Sequence, residues 1–200
     1  MSNVLIATFY HHYSVVACVS KFAIKEIYLL IDKTPNEEMQ KSIDILDDAL
    51  GSVIKIHKIK TDVYEILSVT KQCVEIIDSV TPNSEIIIDV TSGRKTKSFG
   101  LLFAAYTRPK HIKKIVYVTE ETKQIISMPK MSYILNDTES KMLHLIQKEK
   151  FANAIKLSKK LEFSRGLVYR YTRHLMEMDI IEKSDQDELK LTEFGEILLL

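Results

Sequence analysis

One segment of sixteen residues, EIIIDVTSGRKTKSFG at positions 85–100, limits the fold of this chain more than any other. Its apolar run at 86–88 is typical of a fully buried strand, and the run stops at Asp89. A small polar turn with several hydroxyls and three cations follows, and a helical apolar pattern begins at Phe99. Open α/β sheets bind ligands in such loops, where free backbone N–H groups and the helix dipole favour anions. The segment therefore predicts a site for a phosphorylated or nucleotide ligand.

Strands and helices alternate along the first two thirds of the chain. The apolar runs predict strands at 3–9, 26–31, 53–59, 85–89 and 114–119, with residues 124–128 pairing beside the last as a hairpin. The helical patterns between them cover about 15–24, 34–50, 61–80 and 99–107. This alternation predicts an α/β domain with a parallel, doubly wound sheet over residues 1–130.

The pattern changes after residue 135. Three helices are predicted, from Thr138, from about Phe151 to 161, and from a cap at Ser164 to about 178. A short hairpin follows, with strands at 180–181 and 189–191, and then a closing helix. Three helices followed by a hairpin predict a small α+β winged helix-turn-helix domain over residues 136–200, with the third helix as recognition helix. Residues 131–135 are the expected linker.

Composition excludes several classes of protein. The 200 residues contain two cysteines, which indicates no disulfide framework. No apolar run reaches the roughly 20 residues of a membrane span, and residues 1–10 do not resemble a signal peptide, so we expect a cytoplasmic protein without membrane association. The sequence contains no P-loop, GxGxxG, GxSxG or acidic nuclease cluster, which disfavours an NTPase, a dinucleotide oxidoreductase and a hydrolase with a nucleophile elbow. No cofactor is expected, and the His11-His12 pair lacks partners at metal-ligand spacing.

The formal net charge of +1 conceals a basic segment, because residues 148–173 carry eight basic and two acidic side chains. The predicted recognition helix places four polar or basic side chains on one exposed side: Arg165, Tyr169, Arg170 and Arg173. Lys156, Lys159 and Lys160 of the preceding helix can neutralise phosphates, so double-stranded DNA is the expected partner. The alternative is a hydrated basic face on a module that only packs or dimerises. The acidic hairpin turn, with Asp185, Asp187 and Glu188, argues against contact with the minor groove.

Two loops carry the candidate ligand site. In the loop after the fourth strand, Arg94, Lys95 and Lys97 are candidate anion ligands, and Gly93 supplies a backbone shape that other residues do not adopt. Asp89 either orders this loop by accepting backbone N–H groups or contacts a ribose hydroxyl. In the loop after the first strand, Tyr10, His11 and Tyr13 either stack on nucleobases or pack within the loop.

The motif DVTSGRKTKS, the polar loop after the first strand and the winged helix together resemble the CRISPR-associated Rossmann-fold (CARF) family, in particular archaeal CARF–winged-helix regulators of CRISPR loci. This resemblance implies a Rossmann-like, mostly parallel sheet and a homodimer whose cleft binds a cyclic oligoadenylate, most often cyclic tetra-adenylate. The first loop departs from relatives in having no glycine. The positions that the resemblance marks for ligand binding are Thr8, Tyr10, His11, Ser14, Asp89, Thr91, Ser92, Gly93, Arg94 and Lys95.

Two functional classes remain open at this stage. One is a regulator that senses the ring and binds DNA. The other is a metal-independent ring nuclease, in which a ribose 2′-hydroxyl attacks the neighbouring phosphate while Ser14, Arg94 and Lys95 position it and stabilise charge. In the nuclease, His11 or His12 would act as acid or base, and the winged helix would be a structural module. A winged-helix scaffold with a degenerate pocket is a third reading.

Overall fold

The computed structural model describes residues 3–62, 64–82, 84–130, 135–149, 153–184 and 188–200. The chain divides into two compact units, Met1–Ser132 and Tyr133–Leu200. Most of the expected linker, the predicted helix start at Phe151, and the hairpin acids Asp185 and Asp187 lie outside the described residues.

The N-terminal unit is built on a six-stranded sheet in the order β3-β2-β1-β4-β5-β6. Its strands are β1 (Asn3–Thr8), β2 (Ile24–Asp32), β3 (Lys55–Thr61), β4 (Glu85–Asp89), β5 (Ile112–Val118) and β6 (Ile125–Met128). Every pair among the first five strands is parallel, and β6 runs antiparallel beside β5. The predicted α/β class with a mostly parallel sheet is therefore confirmed.

Four helices cover the two faces of this sheet: α1 (Tyr13–Phe22), α2 (Glu37–Leu50), α3 (Ile66–Ser79) and α4 (Lys95–Thr107). Val15 and Cys18 of α1 and Met39 of α2 share one buried cluster with alternate residues of β1, Leu5 and Ala7. Because side chains alternate along a strand, the other residues of β1 point to the opposite face. Helix α4 packs there, and α3 packs along α4.

Helix α1 and helix α4 differ from the sequence prediction at their ends. Ala23 adopts a left-handed conformation with φ of 48°, so α1 ends at Phe22 and Ile24 already belongs to β2. Helix α4 begins at Lys95, four residues before the first apolar position at Phe99. Its polar first turn carries no apolar signal, which is why periodicity alone placed the start too late.

Helices α2 and α3 begin later than the sequence pattern predicts, at Glu37 and Ile66. Asn36 caps α2, because its side chain accepts a hydrogen bond of 2.9 Å from Met39 N. Thr61 is the last residue of β3, and its buried hydroxyl donates to the carbonyl of Ile31 at 3.1 Å. This residue lies in a strand, five positions before Ile66, where α3 begins.

The C-terminal unit contains helices α5 (Asp137–Glu149), α6 (Ala154–Leu161) and α7 (Arg165–Glu177), the strands β7 (Ile181–Lys183) and β8 (Leu189–Leu191), and helix α8 (Glu193–Leu198). Strands β7 and β8 form an antiparallel hairpin. The predicted cap of the third helix is confirmed, since Ser164 Oγ accepts from Leu167 N at 3.3 Å. One apolar cluster joins the three helices and the hairpin, with Leu143, Leu157, Val168, Leu175 and Leu189 among its members.

Among the described residues, no helix combines the length and the apolar character that crossing a bilayer requires.

Candidate functional site

The site lies where the strand order reverses. Strands β1 and β4 are neighbours in the sheet, but the helices that follow them, α1 and α4, cover opposite faces. The chain leaves these two strands toward opposite faces of the sheet, and the crevice outside the carboxyl ends of the strands at such a point is the usual ligand position in open α/β sheets. We name residues 9–12 the first loop and residues 90–94 the second loop.

Ser92 and Gly93 hold the two loops together. Ser92 Oγ accepts hydrogen bonds from the backbone N–H groups of Tyr10 at 3.1 Å and His11 at 2.9 Å. Gly93 has a φ of 90°, and a Cβ at this position would lie 3.0 Å from the carbonyl oxygen of Phe9. Only glycine adopts this conformation without strain and permits this approach. Both predicted site residues therefore fix the backbone of the crevice.

Asp89, the last residue of β4, orders the second loop by hydrogen bonds to Thr91. Its Oδ1 accepts from Thr91 N at 3.0 Å and from the Thr91 hydroxyl, which in turn accepts from Val118 N at 2.8 Å. Asp89 is completely buried, so desolvation raises the pKa of its carboxyl, and the hydrogen bonds from Thr91 oppose that rise. Of the two roles that the sequence leaves open for Asp89, the geometry matches the ordering of the loop.

Two further hydroxyls are buried near Asp89, beneath the loops of the crevice, and we call these buried polar groups the inner layer of the crevice. Thr8 is buried, with its Oγ1 3.3 Å from Ser98 Oγ of α4 and 3.5 Å from the carbonyl oxygen of Asp89. Ser14 is also buried, beside Asp89, and its hydroxyl lowers the pKa of that carboxyl. Neither Ser14 Oγ nor Asp89 Oδ2 completes a hydrogen bond of ordinary geometry within the described part of the chain. These hydroxyls face the protein interior.

The three cations of the second segment have different environments. Arg94 and Lys95 are exposed at the start of α4, and Arg94 Nε lies 3.8 Å from Asp32 Oδ2. Lys97 is fully buried, and its Nζ donates to Leu30 O at 3.1 Å and Asp32 Oδ1 at 2.5 Å. Burial lowers the pKa of Lys97, while Asp32 acts in the opposite direction. The prediction of Lys97 as an anion ligand is therefore wrong: this lysine ties α4 to the end of β2.

Three aromatic rings of the N-terminal unit border the crevice. The Tyr10 and His11 rings meet edge to face with centroids 4.7 Å apart, and the His11 and Tyr13 rings are stacked at 6.3 Å. Lys123, from the turn between β5 and β6, places its Nζ 3.7 Å above the Tyr13 ring. Each ring is only partly buried, so each has a face or an edge that a ligand can reach.

Sequence reasoning missed Asp32 and Glu38 as members of this region. Asp32 ends β2, next to β1, and Glu38 lies in the first turn of α2, where its Oε2 accepts from the Tyr10 hydroxyl at 2.8 Å. The signal was present, because Asp32 follows a buried strand that neighbours the crevice. Glu38 is an acidic residue in the first turn of a helix, which the helix dipole alone explains, so its sequence context does not indicate a role in the site.

The candidate DNA-contacting residues lie on the surface of the C-terminal unit. All are exposed, on α6 and α7: Lys159, Lys160, Arg165, Tyr169, Arg170 and Arg173. Lys160 pairs with Glu149, whose pKa it lowers, and Arg173 Nε lies 3.0 Å from Glu177. The Arg170 guanidinium lies 5.7 Å from the Tyr171 ring.

Within the described ranges, no group of three or more His, Cys, Asp or Glu side chains is arranged to hold a metal ion.

The strand order and the crevice define a class: an α/β protein with a ligand crevice at the point where a mostly parallel sheet reverses. Within that class, residues 3–123 match the profile of the family described as "HFX_2341_N:-like, N-terminal", and the chain belongs to this family. No curated protein matches the chain.

Two solved structures share the fold. Can2 from Sulfobacillus thermosulfidooxidans, in complex with cyclic tetra-adenylate, aligns with a TM-score of 0.51 and 17% identity over 98% of this chain and 61% of its own. Protein VC1899 from Vibrio cholerae aligns with a TM-score of 0.50 and 10% identity over 98% of this chain and 65% of its own. The chain thus spans less than two thirds of the length of either protein.

Proposed function

We propose that the N-terminal unit senses a cyclic oligoadenylate and that the protein is a CARF-type, DNA-binding transcriptional regulator. One observation carries the proposal: exposed cations and partly exposed aromatic rings lie on two loops that are hydrogen-bonded to each other. Arg94 and Lys95 are at the start of α4, and the rings are those of Tyr10 and His11, whose N–H groups donate to the second loop. The cations and the dipole of α4 attract phosphate, and the rings offer faces to unpaired adenines. The likeness of the fold to Can2, whose structure contains cyclic tetra-adenylate, supports this choice of ligand.

A cyclic oligoadenylate suggests a homodimer. Such a ring repeats the same phosphate and base around a symmetry axis, so two copies of one crevice meet it in equivalent ways. The two crevices would then form one site across the two-fold axis, and the cyclic tetra-adenylate ring is the size that the family resemblance favours.

DNA is the proposed partner of the C-terminal unit. Three helices followed by the β7–β8 hairpin have the order of a winged helix-turn-helix, in which α7 would enter the major groove. Arg165, Tyr169 and Arg173 lie at intervals of four residues along one side of α7, and all three are exposed. Ring binding would regulate DNA binding only if the two ligand states differ in their contacts.

Two measurements test the regulator. Calorimetry measures the binding of cyclic tetra-adenylate, and electrophoretic mobility shifts measure the binding of double-stranded DNA at several salt concentrations. We expect the wild type to bind the ring intact, with binding lost in Lys95→Ala, and to bind double-stranded DNA less tightly in Arg170→Ala. Lys21→Ala removes an exposed cation in the last turn of α1 and should change neither result. A wild type that binds no adenylate ring contradicts both the regulator and any ring nuclease.

A ring nuclease is the second candidate, because Arg94 and Lys95 could stabilise the charge of a reacting phosphate as well as hold it. In that reaction a ribose 2′-oxygen bonds to phosphorus, the P–O5′ bond breaks, and the 2′ proton passes to the departing 5′-oxygen. Ser14 is buried and does not reach a ring from its present position, so positioning would come from other groups. Linear products with 2′,3′-cyclic phosphate ends, formed over minutes by the wild type and absent with Lys95→Ala, would establish the enzyme.

A further inference from the structure

The first turn of α2 contacts the first loop through one tyrosine. The Tyr10 hydroxyl donates to Glu38 Oε2 at 2.8 Å and accepts from Asn36 Nδ2 at 2.9 Å. Asn36 is itself fixed, because its side-chain oxygen caps α2 by accepting from Met39 N. Both the proton and a lone pair of the tyrosine hydroxyl are therefore engaged by α2, which leaves the ring little freedom to turn.

Glu38 also faces the second ring of the loop. Its Oε1 lies 3.8 Å from His11 Nε2, so the two oxygens of one carboxylate address two neighbouring rings. Those rings meet edge to face at an interplanar angle of 87°. Tight packing does not impose this arrangement, since the Glu38 side chain is 62% exposed and that of His11 is 43% exposed.

The first loop is thus held at two independent places. Ser92 fixes its main chain at the N–H groups of Tyr10 and His11, and the α2 turn fixes its side chains. Hydrogen bonds and ion pairs between exposed groups contribute little to the free energy of unfolding. Their effect falls instead on the orientation of the rings, and rings that are already oriented lose less conformational entropy when a base stacks on them.

The charge of Glu38 assigns the ligand groups to opposite sides of the crevice. A carboxylate accepts hydrogen bonds and repels phosphate, whereas a nucleobase amine or ribose hydroxyl can donate to it. Phosphates therefore belong at Arg94 and Lys95, and a base or sugar belongs on the side that faces α2.

We propose that Glu38 and Asn36 belong to the site, beside the first and second loops, and that Glu38 is a positioning residue that orients the Tyr10 and His11 rings for nucleobase stacking. The proposal rests on the proposed function, since it concerns the same site. It assigns a role in ligand binding to a helix turn that neither the sequence pattern nor the family resemblance marked.

Binding of cyclic tetra-adenylate and of a ring carrying 2-aminopurine, whose fluorescence falls on stacking, tests this role. We expect Glu38→Ala and Tyr10→Phe to weaken ring binding by roughly tenfold and to reduce the quenching at saturation. Glu38→Gln keeps an acceptor for the tyrosine and should recover most of the affinity. Glu37→Gln, which removes the adjacent exposed acid of the same turn, should bind as the wild type does.

Pyrophosphate, used as a competitor, separates positioning from a general structural role. It carries phosphate without a base, so Glu38→Ala should not weaken its competition. If Glu38→Ala matches the wild type in affinity and quenching, the inference is overturned while the proposed function stands. Equal losses of ring and pyrophosphate binding, with a lower unfolding temperature, would overturn it in favour of a structural role. A wild type that binds no ring overturns both proposals.

Discussion

The crevice of the N-terminal unit and the basic surface of the C-terminal unit both display cations, but their supports differ. In the crevice, Ser92, Gly93 and the buried Lys97 fix the backbone from which Arg94 and Lys95 project. On α6 and α7 the cations project from regular helices, and Lys160 and Arg173 pair with nearby surface acids. A fixed backbone suits a ligand of one shape, whereas long exposed side chains adapt to a phosphate backbone. Substitutions of the residues that fix the crevice backbone should therefore affect stability and binding together, and substitutions of the cations on α7 should affect binding alone.

The largest expected effect is at Lys97. Replacing Lys97 with Met keeps the apolar stem but leaves Asp32 without its buried partner, which we expect to lower the free energy of unfolding by about 3 kcal/mol. Urea denaturation measures this difference. The double variant Lys97→Met/Asp32→Leu removes both charges and should recover at least half of the loss. A single variant within about 0.5 kcal/mol of the wild type would show that the pair does not hold α4 to β2.

Gly93 should give the next largest effect. Gly93→Ala forces a Cβ to within 3.0 Å of the Phe9 carbonyl at a φ of 90°, and we expect a loss of about 2 kcal/mol with weaker ring binding. Gly166→Ala is the matched control in the other unit, because nothing lies within 4 Å of its Cβ position in α7. That variant should gain about 0.5–1 kcal/mol. Equal responses at the two glycines, in thermal and urea unfolding, would contradict the contrast between the units.

The sheet could be predicted from the sequence because its signals are local. The apolar run at 86–88 ends at Asp89, which is where β4 ends, and Ser164 caps α7 as expected. Such signals depend on the side chains of one short segment and its own backbone. Element ends that depend on a single backbone conformation, such as the left-handed Ala23, leave no comparable pattern in the residue types.

The site could be predicted only as a set of loops. The sequence places Arg94, Lys95 and Lys97 in one cationic segment, yet only the fold brings Asp32 of β2 against Lys97 and buries that lysine while the other two cations stay exposed. Contacts between segments far apart in the chain also brought Glu38 to Tyr10. Neither pairing has a local signal, because each depends on the order of the strands in the sheet.

Asp89 offers a smaller effect that depends on pH. Desolvation raises the pKa of its carboxyl in the folded state, so its stabilising contribution is present below the unfolded pKa of about 3.9 and is lost as the pH rises through the folded value. Asp89→Asn keeps an oxygen acceptor for Thr91 and removes the buried charge. Relative to the wild type, we expect the variant to gain stability from pH 4 to pH 7, by on the order of 1 kcal/mol. Parallel urea curves at the two pH values check this, and a variant that loses stability relative to the wild type as the pH rises would contradict it.

On the C-terminal surface, Arg170→Ala should change the free energy of unfolding by less than about 0.5 kcal/mol, since the side chain is exposed. Its effect should appear in DNA binding, where loss of one phosphate contact lowers the slope of log affinity against log salt by about 1. Binding measured at four or more salt concentrations gives the slope. A parallel loss of stability would mean that this cation supports the fold, as Lys97 does in the other unit.

Ser14 should give the smallest effect, and it separates the inner layer of the crevice from its ligand-facing surface. Its buried hydroxyl completes no hydrogen bond of ordinary geometry within the described residues, so Ser14→Ala removes a desolvated polar group at little cost. We expect a change in the free energy of unfolding within about 0.5 kcal/mol and unchanged affinity for cyclic tetra-adenylate. Lys95→Ala, measured beside it, should lose the ring. If Ser14→Ala instead weakens ring binding or stops ring cleavage without changing stability, then the hydroxyl turns toward the ligand on binding, and the start of α1 is less rigid than the bonds of the adjoining first loop to Ser92 and Glu38 indicate.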